Sequence, residues 1–510
     1  MSKFYITSAI DYVNGLPHLG HALEKVQADV IARYQRLLGK EVYFLCGTDE
    51  HGLKIVRAAQ EQNKETQNFV EENAKQFKDM LKALNISNDD FIRTTDQKRH
   101  WPAVQVLWKK LKASGDIYKS AYQGLYCPGC EAFITEKDLI DGKCASHNQK
   151  PEQIKEENYF FRLSNYAKKV KSAIESEELK IIPETKRNEA LSLLEKGIED
   201  ISFSRPRKNL SWGIPVPDDA TQTIYVWTDA LINYISALGY GSGNDSAFKK
   251  YWPADAHIIG KDILRFHAII WPAMLLSANL PLPKTILAHG FITVGSKKMA
   301  KTLGNIADPF DIIERYSADV LRYYLLREIP TFEDGDFTEE KFQEAYNANL
   351  ANGLGNYVSR VSKMIEQYFQ GIINKPEETL IAEAPLRKKG LESFSIPYIL
   401  EKFTWPAYQK AMNDFNLKQA MDIIWDLLGE LDGYVQEYQP FKLINTDRKK
   451  TQAVLWGLGY GMANIAWMLK PFLPETSDKI FKILGIDPNH KEEWRTFHIT
   501  PHPPLFPRKH

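Results

Sequence analysis

The sequence predicts a multidomain protein, an α/β part on a parallel sheet followed by an all-α part, and three observations carry that expectation. A strand–helix–strand pattern opens the chain, a stretch of different character interrupts it, and the last third is apolar at helical spacing. The length of 510 residues is more than one hydrophobic core usually takes. Phe4 to Ala9 is an apolar run that reads as a strand, and the turn Asn14-Gly15-Leu16-Pro17 follows. From about Gly20, Leu23, Val26, Val30, Tyr34 and Leu37 recur at helical spacing. Gly39 stops that helix and Glu41 to Cys46 reads as the next strand. Such a βαβ unit builds a parallel sheet whose ligands sit beyond the strand C-termini.

From about Gly115 to Tyr225 the chain changes to short β-like runs, clustered cysteines and the Pro-rich turn Trp212 to Pro217, which reads as an insertion. Strand and helix pieces resume at Tyr225-Val226-Trp227, His257 to Gly260 and Thr285 to Ala288. Beyond about Tyr346, amphipathic stretches such as Leu417 to Leu428 and Ala453 to Leu469 predict a helix bundle. The tail Pro501 to His510 is Pro-rich and expected to run extended over the surface.

With 65 Lys plus Arg against 65 Asp plus Glu, no net charge attracts a polyanion, so a nucleic-acid contact requires a local basic surface. Met1-Ser2-Lys3 leads straight into the strand-like Phe4 to Ser8, and no apolar run is long enough to span a bilayer. The expectation is a cytoplasmic protein without a membrane partner. Three of the four cysteines fall in one short segment, a pattern of metal binding in a reducing compartment.

His18-Leu19-Gly20-His21 falls at a strand-to-helix junction, where unpaired backbone N–H groups and the positive dipole end suit phosphate. Gly20 lets a ligand approach the backbone, and both imidazoles can donate to phosphate oxygens. Alone, the same residues would fit histidines that merely cap or pack. Lys298-Met299-Ala300-Lys301-Thr302 follows Val294-Gly295-Ser296, and two lysines flanking a turn can neutralise a leaving pyrophosphate. Alone, that stretch would fit a solvated charge run. Together and in this order they point to activation of a carboxylic acid with ATP.

The pair resembles the two signatures of class I aminoacyl-tRNA synthetases, His-Ile-Gly-His and Lys-Met-Ser-Lys-Ser, with Ala300 and Thr302 standing where the family has serines. The resemblance runs over nearly the whole chain and is nearest to the methionyl-tRNA synthetases. It is carried by Ile6 to Tyr12, Gly47 to Gly52, Tyr225 to Ala230, Gly260 to Ile263, Phe266-His267, Trp271-Pro272 and Glu333 to Phe337. It implies a Rossmann-like class I catalytic domain in two halves, 1–115 and 226–290, split by a connective insertion at 116–225. A lysine-loop and stem-contact region at 291–345 and a helical anticodon-binding domain at 346–510 would follow.

The implied activity is methionine–tRNA ligation through methionyl-adenylate, with Mg2+ accompanying ATP. His18, His21, Lys298 and Lys301 would be catalytic. Tyr12, Asn14, Gly15, Gly20, Gly260 and Asp262 would join them in holding ATP. Asp49 would hold the substrate ammonium, and Ile10, Tyr12, Trp227, Ala230, Tyr234 and His267 would line the side-chain pocket. Aromatic walls suit an unbranched, polarizable thioether, and Tyr12 or His267 could offer its sulfur a weak donor. The segment 116–225 is too short for the editing insertion usual in branched-chain synthetases.

Cys127-Pro128-Gly129-Cys130 and Cys144-Ala145-Ser146-His147 space their ligands so that two tight turns can meet one tetrahedral ion. Four ligands with no open position describe one structural Zn2+ per chain, the single-knuckle arrangement within the family. A metal-free knuckle or a redox Cys pair are the alternatives. In the helical part, Asn356 and Arg360 lie one helical turn apart and by resemblance would read the anticodon. Phe441 stands where the family has a tryptophan and keeps a stacking face without the indole N–H. The expected partners are methionine, ATP and methionine tRNA, initiator and elongator alike, and the expected state is a monomer.

Overall fold

The computed structural model describes residues 2–127, 132–134, 136, 139–144, 149–295, 297–298, 307–387, 393–490 and 494–509. Two compact units divide the chain, Met1–Gly290 and Phe291–His510.

The first unit is organised by a seven-stranded sheet, parallel at every pairing. Four of its strands come early: β1 (Lys3–Ser8), β2 (Asp11–Tyr12), β3 (Glu41–Asp49) and β4 (Asp90–Arg93). The sheet order is Lys180–Ile182, Thr285–His289, Ala256–Gly260, β1, β3 and β2, with β4 also paired to β3. β3 runs past Cys46 to Asp49 because it has neighbours on both sides there. β2 pairs with Thr48 and Asp49, and β4 with Leu45 to Thr48.

The helix α1 (Leu19–Leu37) buries Leu19, Leu23, Val26, Val30 and Tyr34, as the periodicity requires. It also buries Glu24, Lys25, Gln27 and Asp29. A helix enclosed on most of its circumference must satisfy such polar groups internally. The main core gathers Tyr5, Leu45, Ile92 and Ile286 from the sheet with Trp108 and Trp271. Each such side chain contributes roughly 1.5–3 kcal/mol by leaving water.

The segment expected to be an insertion is not wholly outside this sheet. Lys180–Ile182 forms the sheet edge against Thr285–Leu287, and Val170, Ile174, Leu179 and Leu194 join the main core. A three-residue strand between helices has too little periodicity to be read from sequence. The segment's other described strands form two larger antiparallel sheets and the small antiparallel pair Leu139–Ile140 with Lys143–Cys144. Ile117–Cys127 and Glu152–Phe161 pair in a long hairpin flanked by Ala132–Ile134 and Ile201–Ser202, and Asp219–Ile224 lies between Ser204–Pro206 and Pro215–Val216.

In the second unit Ile292–Val294 pairs in parallel with Gly335–Phe337 and antiparallel with Lys297–Lys298. Helices follow, the longest being Leu417–Tyr438 and Arg448–Leu469, capped by the side chains of Asn416 and Asp447. A Cβ at Gly461 would stand 2.6 Å from Leu431 Cδ1, so glycine is what allows these two helices to touch. The tail has no regular structure but is tied down. Phe506 is buried against Gly355, the Tyr346 hydroxyl donates to Pro507 O at 2.5 Å, and Arg508 Nε donates to Asn352 Oδ1 at 3.0 Å. Among the described residues no helix is long and apolar enough to cross a membrane.

Candidate functional site

Buried polar groups gather at the C-terminal edge of the parallel sheet. His18 is the N-cap of α1, and its Nδ1 accepts from Gly20 N at 3.1 Å. His21 Nδ1 accepts in turn from His18 N at 3.1 Å, completing a capping box made of two imidazoles. The rings stack with centroids 3.8 Å apart, and Phe77 meets His21 edge-on at 5.0 Å. Because each Nδ1 accepts a backbone N–H, each neutral ring carries its proton on Nε2. Burial, followed by the neighbouring His18 and Lys25, pushes the His21 pKa well below the usual imidazole value. His21 is therefore neutral at pH 7, and both rings are donors through Nε2 without a change of charge.

Behind this turn is a buried charge network that sequence reasoning did not single out. Lys25 Nζ donates to Ala9 O at 2.7 Å and Glu24 Oε1 at 2.8 Å, and lies 3.0 Å from Asp11 Oδ1. Ala9 O belongs to the break between β1 and β2, so Lys25 stabilises that break. Glu24 Oε2 lies 3.2 Å from His289 Nε2, at the end of the strand Thr285–His289. Burial, reinforced by Glu24 and opposed by Lys25, pushes Asp11 up to about 7. The only sequence signal was a pair of charged residues, Glu24-Lys25, between the apolar Leu23 and Val26.

Asp49 ends β3 opposite Tyr12, and its carbonyl accepts from Val13 N at 3.2 Å. Ile10 packs against the main core, and Ala230 is buried. Trp227 stacks on Phe266 with centroids 3.7 Å apart. At the end of Ala256–Gly260, a Cβ on Gly260 would come within 2.8 Å of Asp262 Oδ1, so glycine lets Asp262 fold back over the strand end. Asn14 and Gly15 form the bend before α1.

One expectation is corrected. His267 Nδ1 donates to Ile263 O at 3.0 Å and its Nε2 accepts from the Tyr234 hydroxyl at 2.7 Å, so it has no N–H left for a sulfur ligand. Burial holds the His267 pKa at about 4, which keeps the ring in this neutral state. A second network was also missed. Asp229, between the predicted Trp227 and Ala230, bonds His51 Nδ1 and His100 Nε2, each at 2.6 Å.

The other predicted residues are spread over both units. Lys298 belongs to the short strand Lys297–Lys298, while Lys301 lies outside the described residues. Cys127 and Cys144 are buried in one small cluster with Leu125 and Leu139 against them, and Cys130 and His147 lie outside the described residues. Asn356 is exposed at the start of the helix Asn356–Phe369. Arg360 Nη1 is bonded to Asp432 Oδ1 at 2.8 Å, so an incoming base would compete with that carboxylate. Phe441 is 45% exposed.

The family model for class I tRNA synthetases (M) matches residues 4–144 and 134–362. The methionine–tRNA ligase of Thermotoga maritima is 43% identical over 96% of this chain and 77% of its own length. That of Brucella melitensis is 41% identical over 95% of this chain and 92% of its own. The chain belongs to the methionyl-tRNA synthetases. A solved structure of the Mycobacterium tuberculosis methionyl-tRNA synthetase in complex with methionyl-adenylate superposes with a TM-score of 0.91 at 36% identity, covering all of both chains. The parallel sheet and the histidine-capped α1 are thus the core of a class I synthetase fold, and the methionyl-tRNA synthetase family accounts for the length of the chain.

Proposed function

We propose that this protein is a methionine–tRNA ligase, and that the histidine cap of α1 is where it holds the ATP phosphates. One observation carries the site reading: both rings spend Nδ1 on the backbone, which aims their donor chemistry at Nε2 beside the helix N-terminus. The methionine carboxylate attacks the α-phosphorus of ATP, forming methionyl-adenylate and releasing pyrophosphate. The terminal ribose hydroxyl of tRNA then attacks the acyl carbon, giving methionyl-tRNA and AMP. Mg2+ carried with ATP offsets phosphate charge. His18, His21, Lys298 and Lys301 stabilise the charge that develops on the phosphates.

Tyr12, Asn14, Gly15, Gly20, Gly260 and Asp262 complete the ATP cradle in this reading. Asp49 binds the methionine ammonium, and Ile10, Tyr12, Trp227, Ala230, Tyr234 and His267 surround the thioether. The test is methionine-dependent exchange of label between pyrophosphate and ATP, followed by charging of methionine tRNA. Purified protein without that exchange would sink the proposal.

Cys127, Cys130, Cys144 and His147 would hold a structural zinc in the connective insertion. The residues fit as far as they are described, since two thiols from separate strands meet in one buried cluster. Metal analysis should find a single zinc in the purified protein, and a C144S variant should lose it. A full complement of zinc in that variant would remove Cys144 from the ligand set.

The helices from 346 onward would bind the anticodon through Asn356, Arg360 and Phe441, with initiator and elongator methionine tRNAs both as partners of a cytoplasmic monomer. An R360A variant should raise the KM for tRNA about tenfold or more, as expected for a lost base contact, while leaving methionine-dependent exchange unchanged. An unaltered tRNA KM would dismiss Arg360 as a reader.

A further inference from the structure

We propose that Asp229 is a positioning residue that sets the span between the ammonium anchor and the apolar wall of the methionine pocket, and so the length of side chain accepted. The inference rests on the assignment of Asp49, Trp227 and Ala230 to that pocket.

Asp229 is fully buried on the helix Val226–Leu231, which also carries Trp227 and Ala230. Its Oδ2 lies 2.6 Å from His51 Nδ1 and its Oδ1 2.6 Å from His100 Nε2. His51 follows Asp49 closely, and its amide N–H donates to Asp49 Oδ1 at 3.4 Å. His100 begins the helix His100–Ala113, and its Nδ1 is 2.8 Å from Ser236 Oγ. One carboxylate therefore ties together the loop after β3, the start of a core helix and the helix bearing the pocket wall.

Both imidazoles present N–H to the carboxylate, so both contacts are charge-assisted hydrogen bonds, the stronger kind. Burial opposes the charge on Asp229, yet the two histidines outweigh it and hold the carboxyl below its usual range. The far side of the wall is fixed separately, by the stacking of Trp227 on Phe266. What remains adjustable is the distance from Asp49 to that wall, and Asp229 spans it. A hydrolytic relay through Ser236, His100 and Asp229 does not fit, because Ser236 is buried and its hydroxyl also reaches Asn233 O at 3.3 Å.

The donors can be deleted or mimicked one at a time. An asparagine amide nitrogen stands close to the place of an imidazole Nδ1, and a glutamine amide close to Nε2. In exchange assays, H51A and H100A should raise the KM for methionine about tenfold, the worth of one hydrogen bond to a charged group, with the KM for ATP and kcat nearly unchanged. H51N and H100Q should recover most of that loss. The preference for methionine over ethionine, one methylene longer, should fall severalfold in the alanine variants and return in the amide variants. D229N, equal in size to the parent, should show the same split and serves if an alanine variant does not fold. The proposal is overturned if D229N keeps the wild-type KM for methionine. It is also overturned if both KM values rise together, or if the amide variants are as impaired as the alanine ones. An inactive wild-type enzyme would instead overturn the methionine assignment itself.

Discussion

An H18N enzyme is expected to fold as stably as the parent and to form methionyl-adenylate about 10²–10³-fold more slowly, the usual cost of removing one donor to developing charge. His18 caps α1 and is proposed to bind phosphate, and asparagine separates the two. As N-cap, its Nδ1 takes the Gly20 N–H, and asparagine is among the best residues for that task. In its proposed role as phosphate donor it would use Nε2, which asparagine has no atom to replace. An H18A variant loses both, so its unfolding free energy should also drop by about 1 kcal/mol. Urea midpoints and single-turnover adenylation rates read the two effects independently. If H18N adenylates at the parental rate, the Nε2 reading fails even though the cap geometry stands.

The second large effect concerns stability. Replacing Lys25 by Met leaves Asp11 and Glu24 buried beside one another without their cation, and should cost about 3–5 kcal/mol at pH 8. Asp11 gives this network a pH signature. Its folded pKa of about 7 lies above the unfolded carboxylate value, so the native state holds that proton more tightly. The stabilisation is present in full below about pH 4, the unfolded value, and is lost as pH rises through 7. Asparagine mimics the protonated form at every pH. The stability of D11N relative to the parent should therefore improve between pH 5 and pH 8, as followed by urea unfolding. An identical difference at both pH values would mean that Asp11 titrates in its ordinary range.

Much of the histidine-capped edge was legible because it depends on local chemistry. The run Phe4 to Ala9, the turn at Asn14-Gly15 and the periodicity after Gly20 each lie within one element, and His18 and His21 cap the helix that their own sequence begins. Lys25 and Asp229 were opaque for the opposite reason. Their partners come from Asp11 and Ala9 in one case and from His51 and His100 in the other, and only the folded sheet brings these together. His267 shows a subtler limit. Resemblance puts it in the proposed methionine pocket, but which of its nitrogens is able to donate depends on Ile263 and Tyr234. The edge strand Lys180–Ile182 was missed because three residues carry almost no pattern, although burial of Ile181 decides its place.

The long hairpin of the insertion has a consequence for how this enzyme could be rebuilt. Ile117 and Phe161, where the hairpin leaves and returns, face each other across the ladder, and the pairing continues outward to Tyr126 and Glu152. Glu156 lies midway along the ladder, opposite residue 122, and is held by Arg205 and Asn209. Further out, the described strand residues 123–127 and 152–155 pair with each other and not with the parallel sheet, while Arg57 Nη2 reaches Glu152 Oε1 at 3.3 Å and Arg205 stacks over the Tyr126 ring. The outer hairpin, which carries Cys127, thus lies outside the pairing of the parallel sheet. A change in its length would leave every described strand under the histidine cap with its neighbours.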